Sequence, residues 1–207
     1  MNSGELNLVG IPGVGPSEVS SHEYIGYRGH GIFNQNGGVN NVEFGDLLIG
    51  YTSSGSGEYN LNNGELNINR GYLSIRQGAF NQYGGMNTVD GLWLGDNGEN
   101  SEYNLLDGEL YVDGDERIGV VFAETGSVIF NQSGGVHSTD GLDLGFFSSG
   151  FNEYNLNGGE LNVYGRYEFI GQGGHGILNQ NGGLHTVVGL LGLGIDSFSD
   201  LNGACFF

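Results

Sequence analysis

The chain has 207 residues, a formal net charge of −19 at pH 7 and a hydrophobic share of 37%. This charge excludes nucleic-acid binding through a basic surface, because such a surface neutralises phosphate with lysine and arginine, and the chain has only 5 of these. The sequence contains no apolar run of about 20 residues, so no membrane-spanning helix is predicted. The apolar content suffices for a buried core.

The first predicted element is a short strand in residues 4–8, which read Gly-Glu-Leu-Asn-Leu. Alternation of apolar and polar residues is typical of a strand with one buried face. Residues 1–30 as a whole are predicted to form an atypical first coil, and both prolines, Pro12 and Pro16, fall within it. Proline commonly protects an exposed sheet edge, so these two residues oppose pairing of this end with another chain.

The next element is the first copy of a six-residue unit. Residues 33–38 read Phe-Asn-Gln-Asn-Gly-Gly, and related hexamers start at residues 80, 130 and 178. Successive copies are thus 47, 50 and 48 residues apart. We call a coil that begins with this unit a Phe-type coil.

A second unit lies between the copies of the first. Residues 59–66 read Tyr-Asn-Leu-Asn-Asn-Gly-Glu-Leu, and related octamers start at residues 103 and 154. We call a coil that begins with this unit a Tyr-type coil. The two units together recur every 21 to 27 residues. A period of this size predicts a solenoid, in which each repeat contacts only its neighbours.

Each coil contains three short runs with the strand pattern, separated by turn residues such as glycine and asparagine. No helical periodicity of 3.6 residues occurs. The chain is therefore predicted to be all-β, with a single parallel β-solenoid (β-helix) domain over residues 1–207. We expect about eight coils of roughly 24 residues with three short strands per coil, and a partial last coil in residues 198–207.

One asparagine occupies the same place in seven successive coils, between two core-type residues. Stacked in register, these side chains are predicted to form an amide ladder, in which each bonds its neighbours above and below. The alternative interpretation is that they are ordinary turn formers. The seven residues are Asn34, Asn60, Asn81, Asn104, Asn131, Asn155 and Asn179.

Two positions change together between the coil types. Tyr-type coils have leucine at both, whereas Phe-type coils have glutamine at one and asparagine or histidine at the other, as in Gln132 and His137. If both positions face inward, each buried polar group needs a partner, since an unpaired one is costly. The alternative is a bulge at the Gly-Gly corner that would turn other residues inward. Those residues are Val39, Met86, Val136 and Leu184.

No motif points to catalysis. The five histidines lack the spacing of zinc ligands. Glu65, Glu109 and Glu160 recur in every second coil, which is typical of a repeated face rather than of a catalytic pair. The chain is therefore predicted not to be an enzyme and to need no cofactor.

Calcium is the one ion whose chemistry suits part of the sequence. Residues 96–99 (Asp-Asn-Gly-Glu) and 113–116 (Asp-Gly-Asp-Glu) are acidic turns with suitable oxygen atoms. Neither turn has the spacing of an EF-hand. The alternative is that both are solvated acidic loops.

The two ends of the chain are predicted to complement each other. Residues 4–8 form a second strand without a first, and residues 198–203 resemble a degraded first strand of a Tyr-type coil. Chains are therefore predicted to stack head to tail into an open homopolymer; the alternative is a fragment of a longer repeat array. The predicted assembly residues are Leu6, Leu8, Phe198, Leu201, Phe206 and Phe207.

The two units resemble the glycine-rich strand repeats of bacterial secreted and autotransporter-type passenger proteins, which read roughly Gly-x-Phe-Asn-Gln-Ser-Gly-Gly and Gly-x-Tyr-Asn-Leu-x-Gly-Gly-x-Leu. The resemblance extends from about residue 31 to residue 194. It implies export, an extracellular or cell-surface location, and a structural or adhesive role.

The leading prediction is a secreted structural protein that self-assembles into an extracellular filament or surface layer. The second is an adhesin-like passenger that binds glycans or surfaces through the aromatic residues of its inter-coil loops. The third is a carbohydrate-active β-helix enzyme, which would need a cleft with paired carboxylates. Cys205, the single cysteine, is predicted to be a buried or free thiol, with an intermolecular disulfide as the alternative. The loop aromatics are Tyr51, Phe146, Phe147 and Phe151.

Overall fold

The computed structural model describes residues 1–10, 20–96, 99–120 and 126–195. These residues form eighteen β-strands and no helix. Every strand pairing is parallel. The predicted all-β parallel solenoid is therefore confirmed. The described part of the chain has no helix that could span a bilayer.

The first of two sheets contains the strand that opens each complete coil. Its seven strands pair in chain order, one coil on the next. They are β3 (His30–Gln35), β6 (Ser56–Leu61), β8 (Gly78–Gln82), β10 (Ser101–Leu105), β12 (Ser127–Gln132), β14 (Phe151–Leu156) and β16 (Ile177–Gln180).

The second sheet has eleven strands and contains the second and third runs of each coil. Its strands are β1 (Glu5–Val9), β2 (Glu23–Ile25), β4 (Val39–Glu43), β5 (Leu47–Ile49), β7 (Glu65–Ile75), β9 (Met86–Leu94), β11 (Glu109–Ile118), β13 (Val136–Leu144), β15 (Glu160–Ile170), β17 (Leu184–Val187) and β18 (Leu190–Leu193).

The described residues form seven complete coils, and β1 and β2 supply the second and third runs of a coil before them. In five coils, those of β7, β9, β11, β13 and β15, the second and third runs are one continuous strand. A bulge separates the two runs in these coils, so the backbone keeps pairing across it. The predicted partial coil near residue 198 lies outside the described residues.

Glycine forms the corner between the two sheets for two physical reasons. Gly64 has a φ of +94°, a conformation that side chains with a Cβ rarely adopt. A Cβ on Gly64 would also lie 2.3 Å from the carbonyl oxygen of Gly38, the equivalent corner residue one coil below. Only glycine therefore lets corners stack at the spacing that the strand pairing sets.

The core contains a column of aromatic rings that alternate between the two coil types. Successive ring centroids lie 4.9, 4.9, 4.9, 4.7 and 4.5 Å apart. Each contact of this kind adds about 0.5–1.5 kcal/mol beyond the burial of apolar area. The column runs Phe33, Tyr59, Phe80, Tyr103, Phe130 and Tyr154.

Candidate functional site

The polar positions of the Phe-type coils face the core. In the first three of these coils the glutamine and its asparagine or histidine partner are completely buried. The alternative with a bulge at the Gly-Gly corner is wrong, since Met86 and Leu184 are exposed. The buried polar residues are Gln35, Asn40, Gln82, Asn87, Gln132 and His137.

A tyrosine hydroxyl from the next coil joins each buried pair. The hydroxyl of Tyr103 donates to Oε1 of Gln82 at 2.6 Å and accepts from Nδ2 of Asn87 at 3.0 Å. Burial raises the pKa of Tyr103 well above its usual range, so the hydroxyl keeps the proton that it donates. We call this group of three side chains a polar bridge.

The same bridge occurs in two other places. Tyr154 donates to Gln132 at 2.6 Å and lies 2.9 Å from Nδ1 of His137. Tyr59 donates to Gln35, and Nδ2 of Asn40 lies 3.2 Å from its hydroxyl. Tyrosine therefore appears in the aromatic column only where the preceding coil supplies a glutamine. Sequence reasoning missed this role, although the regular alternation of tyrosine with phenylalanine was the signal for it.

The glutamine amides are satisfied by backbone carbonyl groups. Nε2 of Gln82 donates to the carbonyl of Gly85 at 3.3 Å and to that of Glu109, in the next coil, at 2.8 Å. Gln35 and Gln132 make the equivalent pairs of bonds. These contacts fix the amide orientation, so Oε1 of each glutamine faces the tyrosine hydroxyl.

A glutamate extends three of these polar groups. Nε2 of His137 lies 3.0 Å from Oε2 of Glu116, and neither side chain is accessible to solvent. His185 lies 2.8 Å from Glu168 in the same way. Nδ2 of Asn40 donates to Glu23 at 2.9 Å. All three glutamates belong to third runs that precede a Phe-type coil.

In each of the two predicted calcium turns, one acidic group is engaged in another contact. Glu116 faces the core, as described above. Asp96 pairs with Nε of Arg76 at 2.8 Å and accepts a hydrogen bond from Ser74 at 3.1 Å. Asn97 and Gly98 lie outside the described residues. Within the described ranges, no group of three or more acidic, histidine or cysteine side chains could hold a metal ion.

A further acidic side chain, Asp143, lies on the outer side of β13 but is 3% exposed. The hydroxyl of Tyr167 donates to its Oδ2 at 3.3 Å. Burial raises the pKa of this carboxyl group to about 6, against smaller opposing effects of the Tyr167 hydrogen bond and the nearby Arg117. Arg117 itself lies 5.0 Å from the ring centre of Phe146.

The seven predicted ladder asparagines lie in register on the outer face of the first sheet. Nδ2 of each of the six residues from Asn60 to Asn179 donates to Oδ1 of the asparagine one coil below, at distances of 2.9, 2.8, 2.9, 3.0, 3.0 and 3.0 Å in chain order. Glu58, Glu102 and Glu153 accept a second amide hydrogen. The run of bonds is therefore continuous from Asn34 to Asn179.

Seven of the 24 acidic residues lie in two outward columns where glutamate alternates with an apolar residue. Glutamates two coils apart are separated by about 10 Å, which is about one Debye length at 0.1 M salt. The columns run Ile32, Glu58, Ala79, Glu102, Ile129, Glu153, Ile177 in the first sheet, and Glu5, Val39, Glu65, Met86, Glu109, Val136, Glu160, Leu184 in the second.

The four loop aromatics do not form one site. Tyr51 and Phe146 follow third runs four coils apart, a separation of about 19 Å along the stack. Tyr51 stacks on Tyr27 at 5.2 Å, with Arg76 4.6 Å from its ring centre. Phe146 packs edge-on against the exposed Phe147 at 4.8 Å. Phe151, on β14, is also exposed.

The predicted assembly residues are described at one end only. Leu6 and Leu8 are half-buried on β1, the first strand of the second sheet. At the other end, the last described strands are β16, β17 and β18. The remaining predicted residues, Phe198, Leu201, Phe206 and Phe207, and Cys205 lie outside the described residues.

Comparisons with models of known protein families, with curated proteins and with solved structures find no match for this chain.

Proposed function

We propose that this chain is a non-enzymatic, secreted structural protein whose copies stack head to tail into an extracellular filament or surface layer. The observation that carries the proposal is the complementarity of the first and last described coils. The coil of β1 and β2 is of the Tyr type, with Gly-Glu-Leu at residues 4–6, and the last described coil is of the Phe type. Stacking of a second copy would therefore continue the alternation of coil types.

The register of the contact supports this. Inside the solenoid, β15 pairs with β17 so that Glu160 faces Leu184, Leu161 faces His185 and Val163 faces Val187. On the far side of β17, strand β1 of a second copy would place Glu5, Leu6 and Leu8 at the same three positions. Residues of the same kind would therefore meet β17 from both sides.

The third run of the coil, β18, would also meet matching residues of a second copy. Glu168 pairs with Leu191, and Ile170 pairs with Leu193. Strand β2 of a second copy would bring Glu23 and Ile25 to these leucines, which are 46% and 65% exposed among the described residues. Covering them would remove apolar area from water at about 25 cal/mol per Å². A contact of this heterologous kind does not close, so it extends into a filament.

The test is polymerisation of the full chain in 150 mM salt, followed by sedimentation velocity and electron microscopy as the concentration rises. We expect filaments with an axial repeat of about 38 Å, which is eight coils at the spacing of parallel strands. Leu6→Asp should abolish them, whereas the control Asn7→Asp, on the outer face of the same strand, should not. Strictly monomeric particles at high concentration would overturn the proposal.

A second candidate function is glycan binding by an adhesin-like protein. Its support is an exposed cluster in which Tyr24 packs edge-on against Tyr27 at 5.1 Å and against Tyr51 at 5.2 Å. Arg28 and Arg76 lie 5.7 and 4.6 Å from the rings of Tyr27 and Tyr51. Aromatic faces beside hydrogen-bond donors suit sugar rings.

A glycan array tests this second candidate. Tyr27→Ala should remove binding, while Tyr83→Ala, which truncates an exposed tyrosine elsewhere on the solenoid, should leave it unchanged. Retained binding in both variants would show that the cluster is not the site.

A further inference from the structure

The last described coil repeats most of an internal polar bridge. Gln180 and His185 hold the places that Gln132 and His137 hold two coils below. His185 contacts a buried glutamate at 2.8 Å, as His137 does at 3.0 Å. The coil therefore has the same donors and acceptors around the place of a tyrosine hydroxyl.

The tyrosine itself is what this coil lacks. In the internal bridge, Tyr154 comes from the coil that follows His137. Among the described residues, no group bonds Oε1 of Gln180 or Nδ1 of His185.

The surroundings of this place are apolar. Leu178 and Val187 are half-buried, and Leu191 and Leu193 are exposed. The residues at the same positions two coils below, Phe130, Thr139, Leu142 and Leu144, are completely buried. A further strand would therefore cover apolar side chains as well as polar ones.

The backbone of β16 is also ready for pairing. Among the described strands, β16 pairs only with β14, on one of its two edges. The other edge carries backbone N–H and C=O groups that point along the solenoid axis, and such an edge is a template for an added parallel strand.

We propose that the edge of β16 that no described strand covers is a docking site for an extended Tyr-Asn-Leu segment of another polypeptide, whose tyrosine hydroxyl joins Gln180 to His185. The three internal bridges specify the occupant, because each Phe-type coil with a buried glutamine is followed by a strand that reads Tyr-Asn-Leu. The asparagine of the segment would extend the outer ladder by one bond to Asn179.

This docking goes beyond self-stacking and does not require it. Strands β1 and β2 of a second copy would lie over β17 and β18, and neither contains a tyrosine at the place over Leu178. The partner is therefore defined by its strand sequence and not by identity with this chain.

The probe is a fluorescent peptide with the sequence of residues 151–163, Phe-Asn-Glu-Tyr-Asn-Leu-Asn-Gly-Gly-Glu-Leu-Asn-Val. Its binding to the full chain is measured by fluorescence anisotropy at a protein concentration where the chain sediments as a monomer. The matched control is the same peptide with Tyr154→Phe. Loss of the hydroxyl should weaken binding at least about fivefold, the effect of one net hydrogen bond.

A protein variant and an exchange measurement locate the peptide. Gln180→Leu should reduce the difference between the tyrosine and phenylalanine peptides to about twofold or less. Leu184→Ser, at an exposed outward position of the same coil, should leave that difference unchanged. Amide hydrogen exchange should show protection in residues 177–180 of β16 when the peptide is bound.

Three results would overturn the docking site: no binding, equal binding of the two peptides, or protection of β3 at the opposite end instead of β16. Filaments without peptide binding would remove this inference and leave self-stacking intact. Peptide binding by a chain that never polymerises would support the docking site and overturn self-stacking.

Discussion

The polar bridges of Asn87 and His137 occupy the same place in coils two apart, yet their surroundings differ. Before the coil of Asn87, the third run has Leu73 at the position that Glu116 holds before the coil of His137. Asn87 bonds Tyr103 alone, and its Oδ1 has no partner within the described residues. His137 bonds both Tyr154 and Glu116.

The difference shows that neighbouring core side chains change together from one coil to another. A histidine ring reaches the tyrosine hydroxyl with one nitrogen and the carboxylate with the other. Its plane also lies nearly parallel to the rings of Phe130 at 5.0 Å and Tyr154 at 6.0 Å, so the histidine packs beside the aromatic column. The buried glutamate–histidine pair is thus a structural element of the core, which leucine and asparagine replace where no carboxylate is present.

The largest predicted effect is the loss of that pair. His137→Leu leaves Glu116 buried without its partner, and we expect a loss of about 3–5 kcal/mol in the free energy of unfolding. Asn87→Leu, the matched change where no glutamate is present, should cost only about 1–3 kcal/mol. Urea unfolding measures both; equal losses would show that Glu116 does not depend on His137.

The double variant His137→Leu with Glu116→Leu sharpens this result. It removes the buried charge together with its partner, so most of the loss should be recovered. A double variant as unstable as His137→Leu alone would place the cost in the packing of the ring instead.

The second prediction concerns Asp143, on the same strand as His137. Because burial raises its pKa to about 6 from the ordinary 3.8, folding favours the protonated form. The protonated carboxyl group makes its full contribution to the free energy of unfolding below about pH 4, and this contribution is lost as the pH rises through 6. Asp143→Asn should therefore raise the free energy of unfolding by about 2 kcal/mol at pH 8 and leave it nearly unchanged at pH 4. Urea unfolding at both pH values checks the sign; stabilisation at pH 4 alone would contradict it.

The third prediction separates the bridges from the aromatic column. Tyr103→Phe keeps the ring but leaves Oε1 of Gln82 without its donor, so we expect a loss of about 1.5 kcal/mol. Tyr83→Phe, at an exposed position outside the column, should change stability by less than about 0.5 kcal/mol. Equal thermal midpoints for the two variants would mean that the hydroxyl contributes nothing.

The smallest effect is expected in the outer ladder. Asn104→Ala removes two ladder bonds, one to Asn81 and one from Asn131, and should cost about 1 kcal/mol because these groups are only half-buried. Asn34→Ala, at the end of the ladder, removes a single bond from Asn60 and should cost about half as much. Similar costs at both positions would show that the bonds are not the cause.

Much of the fold was predictable because its signals repeat. A Gly-Gly corner and an aromatic-Asn pair that return about every 24 residues leave few arrangements other than a stack of parallel strands. The inward glutamine, asparagine and histidine were one of two alternatives that their exchange with leucine pairs left open. The partners of those groups did not follow, because each lies in a neighbouring coil, 16 to 24 residues away in sequence.

The sequence by itself determined the solenoid, its coil period, the two coil types and the positions of the ladder asparagines. Only the tertiary structure decided which glutamates face the core. The bulge between the second and third runs has a different length in neighbouring coils: pairing passes from Val112 to Asp115 on β11 but from Thr139 to Gly141 on β13. Since side chains alternate between faces at every residue, each extra residue reverses which face the next carboxylate occupies, and only the paired register shows that Glu116 and Glu168 lie inside.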